Sequence, residues 1–202
     1  MAAEMKHAIY VQADLAIEAD RVRLMNEAIA AWGQLDVLIN NAGISKVIAH
    51  DDLASASSTV WHELNEVNVV APFHLITLAE SALRDAARHR RAGSIVNISS
   101  HAGIRPKGAS IPYAVSKAAL NHMTRLLAVS LGPDIRVNAV APGLVDTPLT
   151  ADWTQAQALW RTRAPMRRAA SPDDIASAVA MLIESDYLTG EILLSDGGLN
   201  LT

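Results

Sequence analysis

Short apolar runs alternate with segments of helical periodicity along most of this chain. Apolar runs of strand length lie at 7–13, 35–40, 94–98, 135–141 and 191–195. Segments with helical spacing of apolar residues lie at 22–33, at about 57–91, at 113–131 and from Ser171 onward. Pro72 falls inside the second of these segments and predicts a local kink there.

Strands that alternate with helices predict a parallel sheet with helices on both of its faces. We therefore predict an α/β fold, a doubly wound parallel sheet in three layers (α, β, α). No internal repeat or low-complexity linker divides the sequence, so residues 1–202 are interpreted as a single domain. Residues 149–170 are the least regular part and are predicted to form a mobile lid.

Composition narrows the function classes. The chain has 202 residues and a formal net charge of −4, which gives no electrostatic footprint for nucleic acid. It has no cysteine, which excludes disulfides and thiolate metal sites and fits a cytoplasmic location. The histidines show no metal-ligand spacing, and no apolar run reaches the ~20 residues of a membrane span. Glu4, Lys6 and His7 interrupt the start, which is therefore no signal peptide.

Polar residues follow several predicted strands, at the edge where parallel sheets bind ligands. The sequence SIPYAVSK at 110–117 lies just beyond one of these strand ends. Tyr113 and Lys117 are four residues apart, so they share one face of the predicted helix. A phenol titrates near ~10, and a neighbouring ammonium favours the phenolate and lowers that pKa. With the Ser100 hydroxyl orienting a carbonyl, this pattern predicts proton transfer on an alcohol/ketone pair, which needs a hydride partner.

A set of ordered motifs makes the chain resemble the short-chain dehydrogenase/reductase family. The matching elements are NNAG at 40–43, Asn68 in NVVAPF, Ser100 in NISSHAG, YAVSK at 113–117, PGLVDT at 142–147, SPDDIA at 171–176 and TGEILLSDGG at 189–198. A lone Tyr-x-x-x-Lys is frequent by chance, whereas seven elements in the family's order over nearly the whole chain are specific. The resemblance implies a Rossmann-like fold and an NAD- or NADP-dependent oxidoreductase of a secondary alcohol or ketone.

The resemblance also implies roles for individual residues. Tyr113 is the expected acid/base, Lys117 lowers its pKa and holds the nicotinamide ribose, Ser100 positions the substrate oxygen, and Asn68 holds a water linking Lys117 to solvent. The implied cofactor contacts are Tyr113 and Lys117 themselves, Asp14 at the adenine, Asn40, Asn41, Ala42 and Gly43 along the cofactor, and Pro142, Gly143, Val145 and Thr147 near the nicotinamide. Either Asn40 or Asn41 also braces the sheet. A homo-oligomer, dimer or tetramer, is implied through the helices near 57–91 and 113–131.

One family element has no counterpart in this sequence. None of the ten glycines is separated from another by a single residue, so the glycine-rich G-x-G turn that holds the pyrophosphate is absent. The stretch at 7–15 matches the family's third strand, and the first two strands and their helices are missing. The strand at 35–40 is then an exposed apolar edge, unless the strand at 7–13 pairs with it or something else covers it. We favour an incomplete copy of a longer protein.

Two rival hypotheses stay open at this point. The chain is either an active oxidoreductase or a non-catalytic remnant that binds partners or full-length relatives; an epimerase or dehydratase with the same triad is a third option. Single residues have alternative roles as well. Asp14 could be a helix N-cap, and Asn68 could cap or hydrogen-bond within the kink at Pro72. Trp153 and Trp160 either line a substrate pocket or pack the lid shut. The substrate is undecided between ketoacyl and sugar or polyol types, as is the choice between NAD and NADP.

Overall fold

A computed structural model of the chain describes residues 7–89 and 92–202. These residues form a four-stranded parallel sheet in the order β1-β2-β3-β4. The strands are β1 (Val37–Asn40), β2 (Gly93–Ile98), β3 (Ile135–Pro142) and β4 (Ile192–Ser195). Four of the five predicted strands are therefore confirmed, because each apolar run finds a parallel partner beside it.

Six α-helices connect and cover the strands in the part of the chain that the structure describes. They are α1 (Glu18–Trp32), α2 (Ser58–Asn65), α3 (Ala71–Ala87), α4 (Ile111–Leu131), α5 (Thr154–Arg163) and α6 (Pro172–Glu184). Gly33, in the left-handed conformation, ends α1, and Ser171 begins α6 with a capping box. None of the described helices is long and apolar enough to cross a membrane.

The core lies on both faces of the sheet. On one face, Ile95 and Val137 pack against apolar side chains of α1, α3 and α4. On the other, Val96 and Val140 pack against Val179 and other side chains of α6. Neighbouring strand residues point to opposite faces, so the central strands β2 and β3 are covered on both faces. The three-layer, doubly wound architecture is confirmed.

The strand predicted at 7–13 is wrong. These residues form no strand, and their backbone turns instead to side chains of α1: Arg23 donates to the Gln12 carbonyl at 2.6 Å. The apolar pattern was correct for a strand, but a strand needs a neighbour for its ladder, and this segment has none. Pairing with β1 does not occur either. Among the described residues β1 pairs with β2 alone, and Ile39 is nearly half exposed, as expected for an apolar edge.

The long helix predicted at 57–91 is divided. A π-helical turn at Glu66–Val70 separates α2 from α3, directly ahead of Pro72, which has no amide hydrogen to continue a regular helix. The predicted end at residue 91 lies outside the described residues. The segment 149–170 is also more regular than predicted, because it contains α5.

Candidate active site

The carboxyl end of β2 carries Ser100 into a short 3₁₀ turn. Ser100 is the N-cap of the turn His101–Gly103, and its hydroxyl accepts a hydrogen bond from the Ala102 amide at 3.1 Å. The turn lies directly on α4, since a Cβ at Gly103 would stand 2.7 Å from the Lys117 carbonyl carbon. Its neighbour Ser99 donates to the Lys117 carbonyl at 3.2 Å, so that hydroxyl joins the end of β2 to α4.

The first turns of α4 bring Tyr113 and Lys117 to the same place. Ser110 caps the helix by accepting from the Tyr113 amide at 3.3 Å, so α4 begins two residues earlier than predicted. The Lys117 Nζ lies 6.0 Å from the centre of the Tyr113 ring and donates to the Ile98 carbonyl at 2.9 Å. The Ser100 hydroxyl lies beside the Tyr113 phenol, close enough to favour its ionised form. Three predicted residues therefore meet at one edge of the sheet.

Burial decides the charge state of this group. Burial raises the pKa of Tyr113, and the neighbouring Ser100 hydroxyl opposes it only in part. Burial also lowers the pKa of Lys117 from 10.5 to about 8. The predicted lowering of the Tyr113 pKa by Lys117 is wrong in this structure, because the ammonium is directed at the Ile98 carbonyl while the apolar surroundings penalise a phenolate.

Asn68 lies at the centre of the π-helical turn and is fully buried. Its side-chain oxygen accepts from the Ile44 amide at 2.9 Å, and its amide group donates to the Ile44 carbonyl and the Ser116 hydroxyl, each at 3.0 Å. The side chain thus joins the loop after β1 to α4. These bonds engage both polar atoms of the Asn68 side chain, and Pro72 has no amide hydrogen to donate to the Asn68 main-chain carbonyl four residues earlier.

The loop after β1 reaches the same residues. Asn40 is buried and donates to the Asn97 side chain at 2.9 Å, so it is Asn40 that braces the sheet. Residues 41–43 are exposed beyond it. A Cβ at Gly43 would lie 3.2 Å from the Asn68 oxygen and 3.3 Å from the Lys117 Nζ. An open backbone beside a buried ammonium fits the ribose end of a nicotinamide cofactor.

The loop after β3 lies at the same edge. Pro142 ends the strand, and Gly143 follows with its amide donating to the Ser195 carbonyl at 2.9 Å. Val145 forms a bridge with Ala170, and the Thr147 amide donates to a neighbouring threonine hydroxyl at 3.2 Å. The loop is thereby fixed, with Val145 and Thr147 partly exposed.

Asp14 makes its hydrogen bonds locally, at the start of α1, and not with the catalytic group. It is exposed, its carboxylate accepts from the Ala16 amide at 2.9 Å, and its own amide donates to Asp20 at 2.7 Å. The alternative that Asp14 is the N-cap of α1 is wrong, since Ile17 occupies that position. The adenine contact remains a prediction.

Two supporting residues were missed in the sequence. Asn97 links Asn40 to the Thr124 hydroxyl, and Ser116 receives the Asn68 amide and donates to the Tyr113 carbonyl at 2.7 Å. Asn97 could have been found from the sequence, because a single side-chain amide inside the buried run SIVNI needs a hydrogen-bond partner. Ser116 had none beyond its place between Tyr113 and Lys117.

Comparison with known proteins gives consistent relatives. A family model described as "Enoyl-(Acyl carrier protein) reductase" matches residues 1–200. A protein of Streptomyces violaceoruber, described as ketoacyl reductase 2 of the granaticin polyketide synthase, is 45% identical over 207 residues, which cover 99% of this chain and 80% of the relative.

Solved structures show the same fold with cofactors. The 3-ketoacyl-(acyl-carrier-protein) reductase of Brucella melitensis, complexed with NADH, matches with a TM-score of 0.89 at 29% identity, over 98% of this chain and 81% of that one. The gluconate 5-dehydrogenase of Burkholderia cenocepacia, complexed with NADP and tartrate, matches with a TM-score of 0.82 at 28% identity, over 94% and 74%.

Proposed function

Because the chain belongs to the short-chain dehydrogenase/reductase family, we propose that Ser100, Tyr113, Lys117 and Asn68 form its catalytic site. The protein is an NAD(P)-dependent oxidoreductase that transfers hydride between the cofactor and a secondary alcohol or ketone. The observation that carries the assignment of residues is the meeting of the Tyr113 phenol, the Ser100 hydroxyl and the Lys117 ammonium at the carboxyl edge of the sheet.

Tyr113 acts as the general acid in ketone reduction. Its raised pKa keeps the phenol protonated at neutral pH, so a proton is available for the carbonyl oxygen. The Ser100 hydroxyl, held by the Ala102 amide, positions that oxygen. When bound, the nicotinamide supplies or accepts the hydride.

Lys117 and Asn68 return the proton to Tyr113. The Lys117 pKa of about 8 lets its ammonium give up and regain a proton near neutral pH. A water on the Asn68 main-chain carbonyl connects it to solvent, and the proline at position 72 supports this role because it leaves that carbonyl without the usual amide donor.

Several exposed backbone and side-chain groups are assigned to the cofactor. Asn41, Ala42 and Gly43 line its ribose, Val145 and Thr147 lie at the nicotinamide beside Pro142 and Gly143, and Asp14 contacts the adenine. Asn40 supports this loop from beneath, where it is bonded to Asn97. We place the enzyme in the cytoplasm, as its lack of cysteine suggests, and treat the chain as one domain.

Binding of NADH and NADPH to the purified 202-residue chain tests this proposal. We expect binding at about micromolar Kd by fluorescence or calorimetry. Gly43→Val should weaken it about tenfold or more, since a side chain there meets Asn68 and Lys117. The control Ala54→Val, in an exposed loop, should leave it unchanged. No binding at millimolar cofactor would reject the proposal for this chain and favour the non-catalytic alternative.

A homo-oligomer, dimer or tetramer, is the assembly we propose. Val115, Leu126 and Val129 lie on one face of α4, where Leu126 is 57% and Val129 85% exposed. Val70, the last residue of the π-helical turn, and Phe73, in the first turn of α3, are also exposed. Apolar stripes of this kind on helices mark protein interfaces.

The double variant Leu126→Glu/Val129→Glu should convert this oligomer into monomers, because charges would replace the apolar centre of the interface. The molar mass is measured by light scattering after size-exclusion chromatography. Ala176→Glu, at an exposed position of α6, is the matched control and should keep the wild-type mass. A wild-type chain that is already monomeric would contradict the proposed assembly.

A further inference from the structure

The residue after Ser100 contacts the helix inside the predicted lid. His101 opens the 3₁₀ turn that Ser100 caps, and only 7% of it is exposed. Its ring meets the Trp160 ring edge-on, with centroids 5.7 Å apart and planes at 74°. Trp160 belongs to α5, within residues 149–170. The turn that carries the substrate-positioning hydroxyl and the lid therefore share one aromatic contact.

Trp160 is itself fixed to two further loops at this edge. Its indole N–H donates to the Asp196 carbonyl at 3.2 Å. A Cβ at Gly143 would lie 2.9 Å from Trp160 Cζ2, so the loop after β3 touches the indole directly. Trp160 is buried with Leu144, Ala164 and Leu199, and Trp153 packs against this cluster. Of the two alternatives for Trp160, packing of the lid is therefore the one observed.

Hydrogen bonds hold the turn together and join it to the cluster around Trp160. The His101 carbonyl accepts from the amides of Ile104 and Arg105, both at 3.0 Å. The Arg105 guanidinium then donates to the Leu199 carbonyl at 2.7 Å, which ties the turn to the cluster around Trp160. A displaced His101 ring would shift this turn, and with it the Ser100 hydroxyl that caps it.

We propose that His101 is a positioning residue that couples the seating of α5 to the orientation of the Ser100 hydroxyl through its contact with Trp160. The proposal rests on the role assigned to Ser100 in the proposed function. The ring acts by its shape rather than by proton transfer. Its buried Nε2 has no hydrogen-bond partner among the described residues. Burial and the nearby Arg105 lower its pKa against the opposing field of Asp196, so the ring is neutral at pH 7.

Two substitutions at His101 separate shape from proton chemistry. His101→Ala removes the ring, and we expect KM to rise and kcat to fall, each by about tenfold, as the lid loosens and Ser100 is misplaced. His101→Phe keeps a flat ring against Trp160 and should stay within about threefold of wild type. Equal losses in both variants would overturn the proposal, because they would indicate that the imidazole nitrogens are needed.

A second readout does not depend on turnover. In a background with Trp32, Trp61 and Trp153 replaced by phenylalanine, acrylamide quenching reports the exposure of Trp160. His101→Ala should raise the quenching constant about twofold or more, and His101→Phe should leave it unchanged. Unchanged quenching in His101→Ala would overturn the coupling even if activity fell. NADH binding should match wild type in both variants, and its absence in the wild type would count against the proposed function instead.

Discussion

Replacing Tyr113 with phenylalanine should lower kcat by about 10²- to 10⁴-fold, the usual contribution of a general acid. The substitution removes only the phenolic oxygen, which lies beside Ser100 and is the proposed donor of the transferred proton. The ring keeps its packing on α4, so the fold should be retained. Turnover is followed by the absorbance of NADH or NADPH with a series of ketones, and NADH binding is measured in parallel.

Tyr187→Phe is the matched control, since that side chain is 100% exposed. It should leave kcat and KM at wild-type values. Binding of NADH to Tyr113→Phe should also be unchanged within about twofold, because the loss is confined to the chemical step. If Tyr113→Phe kept more than about a tenth of wild-type turnover, Tyr113 would not be the acid and the assignment of the site would be wrong.

The parts of the fold and of the site that depend on local sequence pattern could be predicted from the sequence. Buried apolar runs such as SIVNI predict strands, and the four-residue spacing places Tyr113 and Lys117 on one helix face whatever lies around them. The helical pattern from Ser171 onward likewise predicts α6, which begins at Pro172 with Ser171 as its N-cap. These features need no knowledge of distant neighbours.

The predictions that were wrong depended on neighbours in space, which no local sequence pattern specifies. The run at 7–13 has strand character, but a strand exists only with a partner. The direction of the Tyr113 pKa shift depends on two quantities that the spacing alone does not give. They are the depth of burial, which raises the pKa, and the position of the Lys117 ammonium, which donates to the Ile98 carbonyl. The aromatic contact between His101 and Trp160 joins residues 59 positions apart, and each alone looks incidental in the sequence.

Replacing Lys117 with methionine should stabilise the chain while abolishing turnover. Lys117 is only 5% exposed, and burial lowers its pKa from 10.5 to about 8. This difference corresponds to about 3 kcal/mol of unfavourable free energy for burying the charged form at pH 7. Methionine removes that cost but also the charge-assisted hydrogen bond to the Ile98 carbonyl, worth about 1.5 to 3 kcal/mol. The free energy of unfolding should therefore rise by up to about 1.5 kcal/mol.

The pH dependence of this gain identifies its cause. Below pH 8, Lys117 is protonated in both the folded and the unfolded state, so the cost of burial is complete. Between pH 8 and 10.5 the unfolded chain binds the extra proton, and wild-type stability rises with pH relative to Lys117→Met. The advantage of the variant should accordingly disappear as pH rises through that window, as measured by urea unfolding.

The matched control for Lys117→Met is Lys46→Met. That side chain is 43% exposed and pairs with Glu63, so its loss should change the free energy of unfolding by less than about 0.5 kcal/mol and leave activity intact. Turnover of Lys117→Met should fall by about 10²-fold or more, since the proton relay and the ribose contact depend on the ammonium. A variant less stable than wild type at pH 7 would show that the Ile98 bond outweighs desolvation. If the stabilised variant stayed active, Lys117 would not be needed for turnover. The proposed mechanism would then be wrong, and the cost of burying this lysine would have no catalytic explanation.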